Sequence, residues 1–196
     1  MRVTATELPG VLLIVPRVFE DARGAFFESF HADRYEAAGI AGPFVQDNVS
    51  RSRRGVLRGL HFQHPHGQRK LVSVIAGEVF DVAVDVRAGS PTFGRWTGHV
   101  LSAQNGRQLF IPDGFAHGFL TLSEEAVFAY KCSEYWRPEA ERVLRWNDPR
   151  IGIEWPGFDA GHEPRLSERD RAAVSLDRVA PESLPVFEAL VTTGAG

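Results

Sequence analysis

The stretch Gly106-Arg107-Gln108-Leu109-Phe110-Ile111-Pro112-Asp113-Gly114-Phe115-Ala116-His117-Gly118 reads as a strand, a tight corner and a second strand. Pro112 fixes φ and removes a backbone donor where the first strand must stop, and Gly114 supplies an unusual turn dihedral. Alternation along the second strand then sends His117 inward. This is the spacing a small β-barrel needs in order to carry an imidazole in its interior.

Outward from this corner, short apolar runs punctuated by Gly, Pro, Asn and Asp predict strands at 11–15, 24–30, 43–49, 55–63, 70–76, 78–86, 95–102, 107–111, 117–122, 126–133 and 142–146. Helical periodicity is confined to 31–39, 167–173 and 181–191. So many short strands with frequent turn signals predict an all-β fold, a double-sheet jelly roll with a few short helices. In 78–86, Val82, Val84 and Val86 share one face while Asp81, Ala83 and Asp85 share the other, so a carboxylate-bearing face must meet solvent or a ligand cavity. At 196 residues and 43% hydrophobic content, the chain suffices for one sizeable core and is short for two. A single domain over 1–191 is expected, with a disordered tail over 192–196.

A net charge of −3 provides no basic field for nucleic acid, so an anionic ligand must meet local cations. The single cysteine, Cys132, forbids an internal disulfide and agrees with a reducing compartment. No signal pattern and no long apolar run is present, which reads as a cytoplasmic protein without membrane attachment.

The densest polar constellation lies between Gln46 and Lys70, where Gln46-Asp47-Asn48, Arg58, His61, Gln63, Gln68 and Lys70 sit in or beside strand-like sequence. Ideal alternation separates Arg58 from His61, but Gly59 permits a bulge that brings them together. Taken singly, Arg58 and Lys70 read as surface charges and His61 as a core histidine. Taken together, so many donors in buried strands call for a ligand to pair them.

The 106–118 stretch resembles the second motif of cupins, and Gly59, His64-Pro65-His66, Lys70 and Gly77 form a distorted first motif. Where metal cupins place a carboxylate ligand this chain has Lys70, and an ammonium cannot ligate. The resemblance implies a cupin-type double-stranded β-helix that has exchanged its metal for a fixed positive charge. A metal-dependent cupin using His61, His64, His66 or His117 is the competing reading; a non-catalytic sugar-binding module is a third.

Longer motifs narrow the family. Phe19-x-Asp21-x-Arg23-Gly24-x-Phe26-x-Glu28, Val45-Gln46-Asp47-Asn48-x-Ser50, 55–63, Lys70-Leu71-Val72, 81–85, 90–94, Pro112-x-Gly114-Phe115-Ala116-His117-Gly118-Phe119 and Leu166-Ser167-x-x-Asp170 resemble the dTDP-4-dehydrorhamnose 3,5-epimerases over residues 10 to 178. That family implies a homodimer, free of metal and cofactor, that inverts the two carbons flanking the ketone of dTDP-4-dehydro-6-deoxy-glucose. A C–H beside a ketone is a very weak acid, so the reaction needs a base, an enolate-stabilising group and an acid on the opposite face. By resemblance, His61 is the base, Asp170 orients its ring, Lys70 meets the developing oxyanion and Tyr130 returns the proton. Without it, Tyr130 reads as core packing and Asp170 as a helix N-terminal charge. The same resemblance assigns the diphosphate to Arg23, Arg58 and Arg169, and the base, sugar and hydroxyls to Glu28, Gln46, Asp47 and Asn48. It stacks the thymine on Trp136 and adds Phe26, His117 and Glu141 as binding residues. The N-terminal β segment bearing Arg23 and Phe26 is also the kind of edge able to pair with a partner's sheet and close its site. Relatives that invert only C3 or only C5 are the nearest rival.

Overall fold

The computed structural model describes residues 1–40, 42–157 and 163–188. The strands are β1 (Arg2–Ala5), β2 (Leu12–Val15), β3 (Val18–Asp21), β4 (Gly24–Phe27), β5 (Gln46–Arg53), β6 (Leu57–Gln63), β7 (Lys70–Ala76), β8 (Glu78–Asp85), β9 (Trp96–Ser102), β10 (Gln108–Ile111), β11 (Phe115–Thr121), β12 (Glu125–Cys132) and β13 (Glu141–Val143). Two short helices join them, α1 (Ala32–Ala37) and α2 (Glu168–Arg171).

Two antiparallel sheets face each other, ordered β1-β2-β10-β7-β12-β5 and β13-β6-β11-β8-β9, and among the described residues β3 pairs only with β4. The corner at 112–114 carries the chain from β10 in one sheet to β11 in the other. Gly114 takes φ +83°, and a Cβ there would lie 2.6 Å from Cγ of Arg87, so the corner requires glycine twice over.

Side-chain alternation builds three apolar layers. Between the sheets, Val72, Val74, Leu109 and Phe128 meet Val79, Ala83, Leu101, Phe115 and Phe119. The outer face of the five-stranded sheet (Leu57, Leu60, Phe62, Val82, Val84, Ala116, Leu120) is covered by Leu144, Ile151, Trp155, Leu176 and Leu184 from the C-terminal third. On the other sheet, Tyr35 and Ile40 of the α1 region cover Ile14, Leu71 and Phe110. A strand covered on both faces has no polar side to show, which is why β11 is buried throughout. The carboxylate face of β8 divides: Asp85 is satisfied by Arg87, Ser90 and Thr92, each at 2.6 Å, while Asp81 points between the sheets.

The fold is the all-β jelly roll expected, and the helices at 31–39 and 167–173 are present in shortened form. The helix expected at 181–191 is not: 3-10 turns at Leu176–Arg178 and Pro181–Ser183 lead to a bridge between Val186 and Ala88. Pro181 opens the second turn and Pro185 cannot donate the next helical bond. Residues 189–191, like the tail over 192–196, lie outside the described residues. β5 runs on to Arg53 because it pairs with β12 along its whole length. β1 and β3 were not anticipated.

Candidate active site

A cavity of about 590 Å³ is lined by side chains from both sheets and from the α2 region, among them Arg58, His61, Lys70, His117, Tyr130, Trp136, Glu141, Arg169 and Asp170. A recess of about 240 Å³ shares His61, Lys70, Tyr130, Trp136 and Glu141 with it and adds Gln46 and Asn48.

β6 reaches the cavity through a bulge. Its pairing with β11 slips by one residue between His61↔His117 and Arg58↔Phe119, and both Arg58 and His61 then line the cavity. Gly59 allows this, with φ +120° and no room for a side chain: a Cβ would lie 2.5 Å from Cα of Gly118.

Nε2 of His61 lies 2.6 Å from Oδ1 of Asp170, which is 4% exposed. Ser167 holds the carboxylate, accepting from the Asp170 backbone N–H at 3.1 Å and donating to Oδ2 at 2.8 Å. Burial alone would raise this carboxyl, but the bond to His61, the Ser167 hydroxyl and the nearby Arg169 bring it below the ordinary carboxylate value.

Lys70 and Tyr130 come from β7 and β12 of the opposite sheet. Burial lowers the Lys70 ammonium, against the opposing pull of Cys132, Glu141 and Asp81. Burial raises the Tyr130 phenol, helped by Cys132 and Glu141 and opposed by Arg58, so the hydroxyl keeps its proton at neutral pH.

At the cavity rim, Glu141 accepts from the Trp136 indole N–H at 3.0 Å and pairs with Arg169. Trp136, 53% exposed, is also fixed through its backbone N–H to Gln46, whose amide donates to Asn48. Arg58 donates to Ser52 and to the Arg51 carbonyl.

Four expected binding residues stand elsewhere. Asp47 lies on the outer face of β5, paired with Lys131, because alternation turns it away from Gln46 and Asn48. Arg23 is paired with Asp21 on the β3–β4 hairpin, Phe26 on the same hairpin is 71% exposed, and Glu28 is paired with Arg34. His64 and His66 do not line the cavity. Ser50 does, with a buried hydroxyl that has no partner among the described residues, and its even spacing after Gln46 and Asn48 was the available signal. Among the described residues, no three His, Cys, Asp or Glu side chains converge as a metal site needs.

A family profile described as dTDP-4-dehydrorhamnose 3,5-epimerase matches residues 5–178. A Pseudomonas aeruginosa protein of that description is 58% identical over 87% of this chain and 93% of its own length. A Salmonella typhimurium relative, likewise described, is 54% identical over 91% and 97%. The crystal structure of a dTDP-6-deoxy-D-glucose-3,5-epimerase from Legionella pneumophila, in complex with dTDP-4-keto-L-rhamnose, superposes with a TM-score of 0.92 at 52% identity, covering 96% of this chain and 99% of that one.

Proposed function

Because the chain belongs to the dTDP-4-dehydrorhamnose 3,5-epimerase family, it inverts C3 and C5 of dTDP-4-dehydro-6-deoxy-D-glucose to give dTDP-4-dehydro-L-rhamnose, and we propose that His61, Asp170, Lys70 and Tyr130 carry the chemistry. The observation that carries this assignment is the placement of His61 and Tyr130 on opposite sheets of one cavity. Inversion needs a proton removed from one face of the sugar and another delivered to the other.

His61, oriented by Asp170, takes the proton from the carbon beside the ketone. The C–H electron pair moves into the C–C bond and the ketone oxygen becomes an enolate oxygen, which the Lys70 ammonium stabilises. The Tyr130 O–H then protonates the carbon from the far face. Solvent returns a proton to Tyr130 and removes one from His61, and the cycle repeats at the second carbon. No step calls for a metal or a cofactor.

The rim suits the nucleotide. Arg58 and Arg169 supply guanidinium forks for the diphosphate, and Trp136 offers a π face for thymine. Gln46, Asn48, His117 and Glu141 complete recognition around them. Arg23, Phe26 and Glu28 act from a second copy in a homodimer. Phe19 and Phe26 on the hairpin are 51% and 71% exposed, and Val49 and Ile75 on the outer face of the six-stranded sheet are 70% and 59% exposed, an apolar surface suited to a partner. We read the enzyme as cytoplasmic; no helix among the described residues is long and apolar enough to cross a membrane.

Incubation with dTDP-4-dehydro-6-deoxy-D-glucose in D₂O tests the reading. Deuterium at both C3 and C5 of the inverted sugar is expected. Label at one carbon only identifies a mono-epimerase, and no label overturns the assignment.

A further inference from the structure

We propose that Asp81, which no role described so far uses, is a positioning residue: it holds the His117 ring as the Nε2–H tautomer, so that Nδ1 meets the cavity as an acceptor for a hydroxyl of the bound sugar. The inference rests on the epimerase reading for its ligand and on the geometry for its tautomer.

Nε2 of His117 lies 2.9 Å from Oδ2 of Asp81, with His117 7% exposed and Asp81 0%. A carboxylate can only accept, so Nε2 carries the hydrogen. The ring is stacked on Phe128, 5.9 Å between centroids at 19°, which opposes its turning over. Burial lowers the imidazole below its ordinary range, and Lys70 and His61 add to that against the pull of Asp81, so the ring stays neutral and its second nitrogen keeps a lone pair. Nδ1 has no hydrogen bond among the described residues, while His117 lines the cavity directly opposite His61 in the β6–β11 register.

The surroundings of Asp81 fit the same role. Its Oδ1 is buried and unpartnered among the described residues, so its charge calls for a cation nearby. Lys70 of β7, on the facing sheet, supplies it. His99 of β9 stands opposite Asp81 in register, but burial lowers its imidazole below the ordinary range, so it adds no fixed positive charge. Asp81 thereby serves two cavity groups, fixing His117 and offsetting the charge of Lys70.

The test is ¹⁵N NMR of His117 in the wild-type enzyme and in Asp81→Asn, the signal assigned with His117→Gln. The wild type should show a protonated Nε2 and an unprotonated Nδ1. In Asp81→Asn the amide N–H₂ can donate to Nε2, and the proton should move to Nδ1. The value of kcat/KM should then fall ~10- to 100-fold, by analogy with the loss of partners that orient metal-bound imidazoles. Affinity for dTDP, which lacks the 4-keto-hexose that His117 would contact, should not change. A wild-type His117 protonated at Nδ1, or Asp81→Asn with wild-type turnover, overturns the proposal. If Asp81→Asn fails to fold, the wild-type spectrum still decides. A wild-type enzyme with no turnover would overturn the epimerase reading and leave the tautomer to the spectrum.

Discussion

Oδ1 of Asp170 and Nε2 of His61 lie 2.6 Å apart across 109 residues of chain. The pair exists only because the chain beyond β13 folds back onto the five-stranded sheet, where Leu57 N–H bonds to the Arg165 carbonyl and Leu144 bridges to Val174. A four-residue helix capped by Ser167 then aims the carboxylate.

Asp170→Asn should therefore lower turnover ~10²- to 10⁴-fold, because an amide can donate to Nε2 and leave the ring in the wrong tautomer. The same variant has a pH signature. The Asp170 carboxyl is held below its ordinary value of 3.8 in the folded state, so its ionised form stabilises the fold above that value. This contribution fades as pH falls through the folded value. Urea unfolding of wild type and variant should differ most near neutral pH and converge in acid; a constant gap would mean the carboxylate stabilises nothing.

His61→Asn should abolish solvent-hydrogen exchange into the sugar while dTDP binding, measured by calorimetry, persists. Tyr130→Phe keeps the ring and removes its only proton. It should still wash deuterium into at least one carbon yet form far less inverted product. Normal product formation by Tyr130→Phe would return that side chain to packing alone.

Chelator-treated enzyme should keep full activity, since Lys70 stands where a metal cupin needs a carboxylate and, in the proposed mechanism, an ammonium meets the enolate. Loss of activity restored by one particular divalent ion would sink this expectation.

Gly59→Ala should cost ~1–3 kcal/mol or more by overpacking against backbone that cannot give way, because its Cβ would lie 2.5 Å from Cα of Gly118 and 2.7 Å from the His117 carbonyl. The bulge that brings Arg58 beside His61 would be displaced with it, so affinity for dTDP should fall together with Tm. An unchanged Tm would show that the bulge is not enforced by this contact.

Much of this is legible in the chain itself. The 106–118 corner encodes a strand end, a turn and an inward histidine in purely local terms, and the joint polarity of Arg58, His61 and Lys70 marks a cavity. β1 and β3 escaped because they are four residues each and largely exposed, so no apolar period marks them. Residues 181–191 carry apolar spacing that suits a helix, yet over 181–188 Pro181 and Pro185 and the bridge of Val186 to Ala88 decide otherwise. Asp47 could have been separated from its neighbours by period two alone. Asp170 could not have been joined to His61 by any local rule, because their meeting depends on how the whole C-terminal third is laid down.

The two sheets also set a spacing. Packed sheets stand ~10 Å apart, a thickness fixed by the side chains that fill it. In this barrel Phe119 and Phe128 stack at 4.2 Å between centroids, on the strands that hold His117 and Tyr130. In the proposed mechanism these two rings act as a gauge block for the gap across which a proton leaves one face of the sugar and another arrives. Thinning that block changes the reach of each reacting group, so a substitution made wholly in the hydrophobic interior would register first as an altered ratio of exchange to inversion.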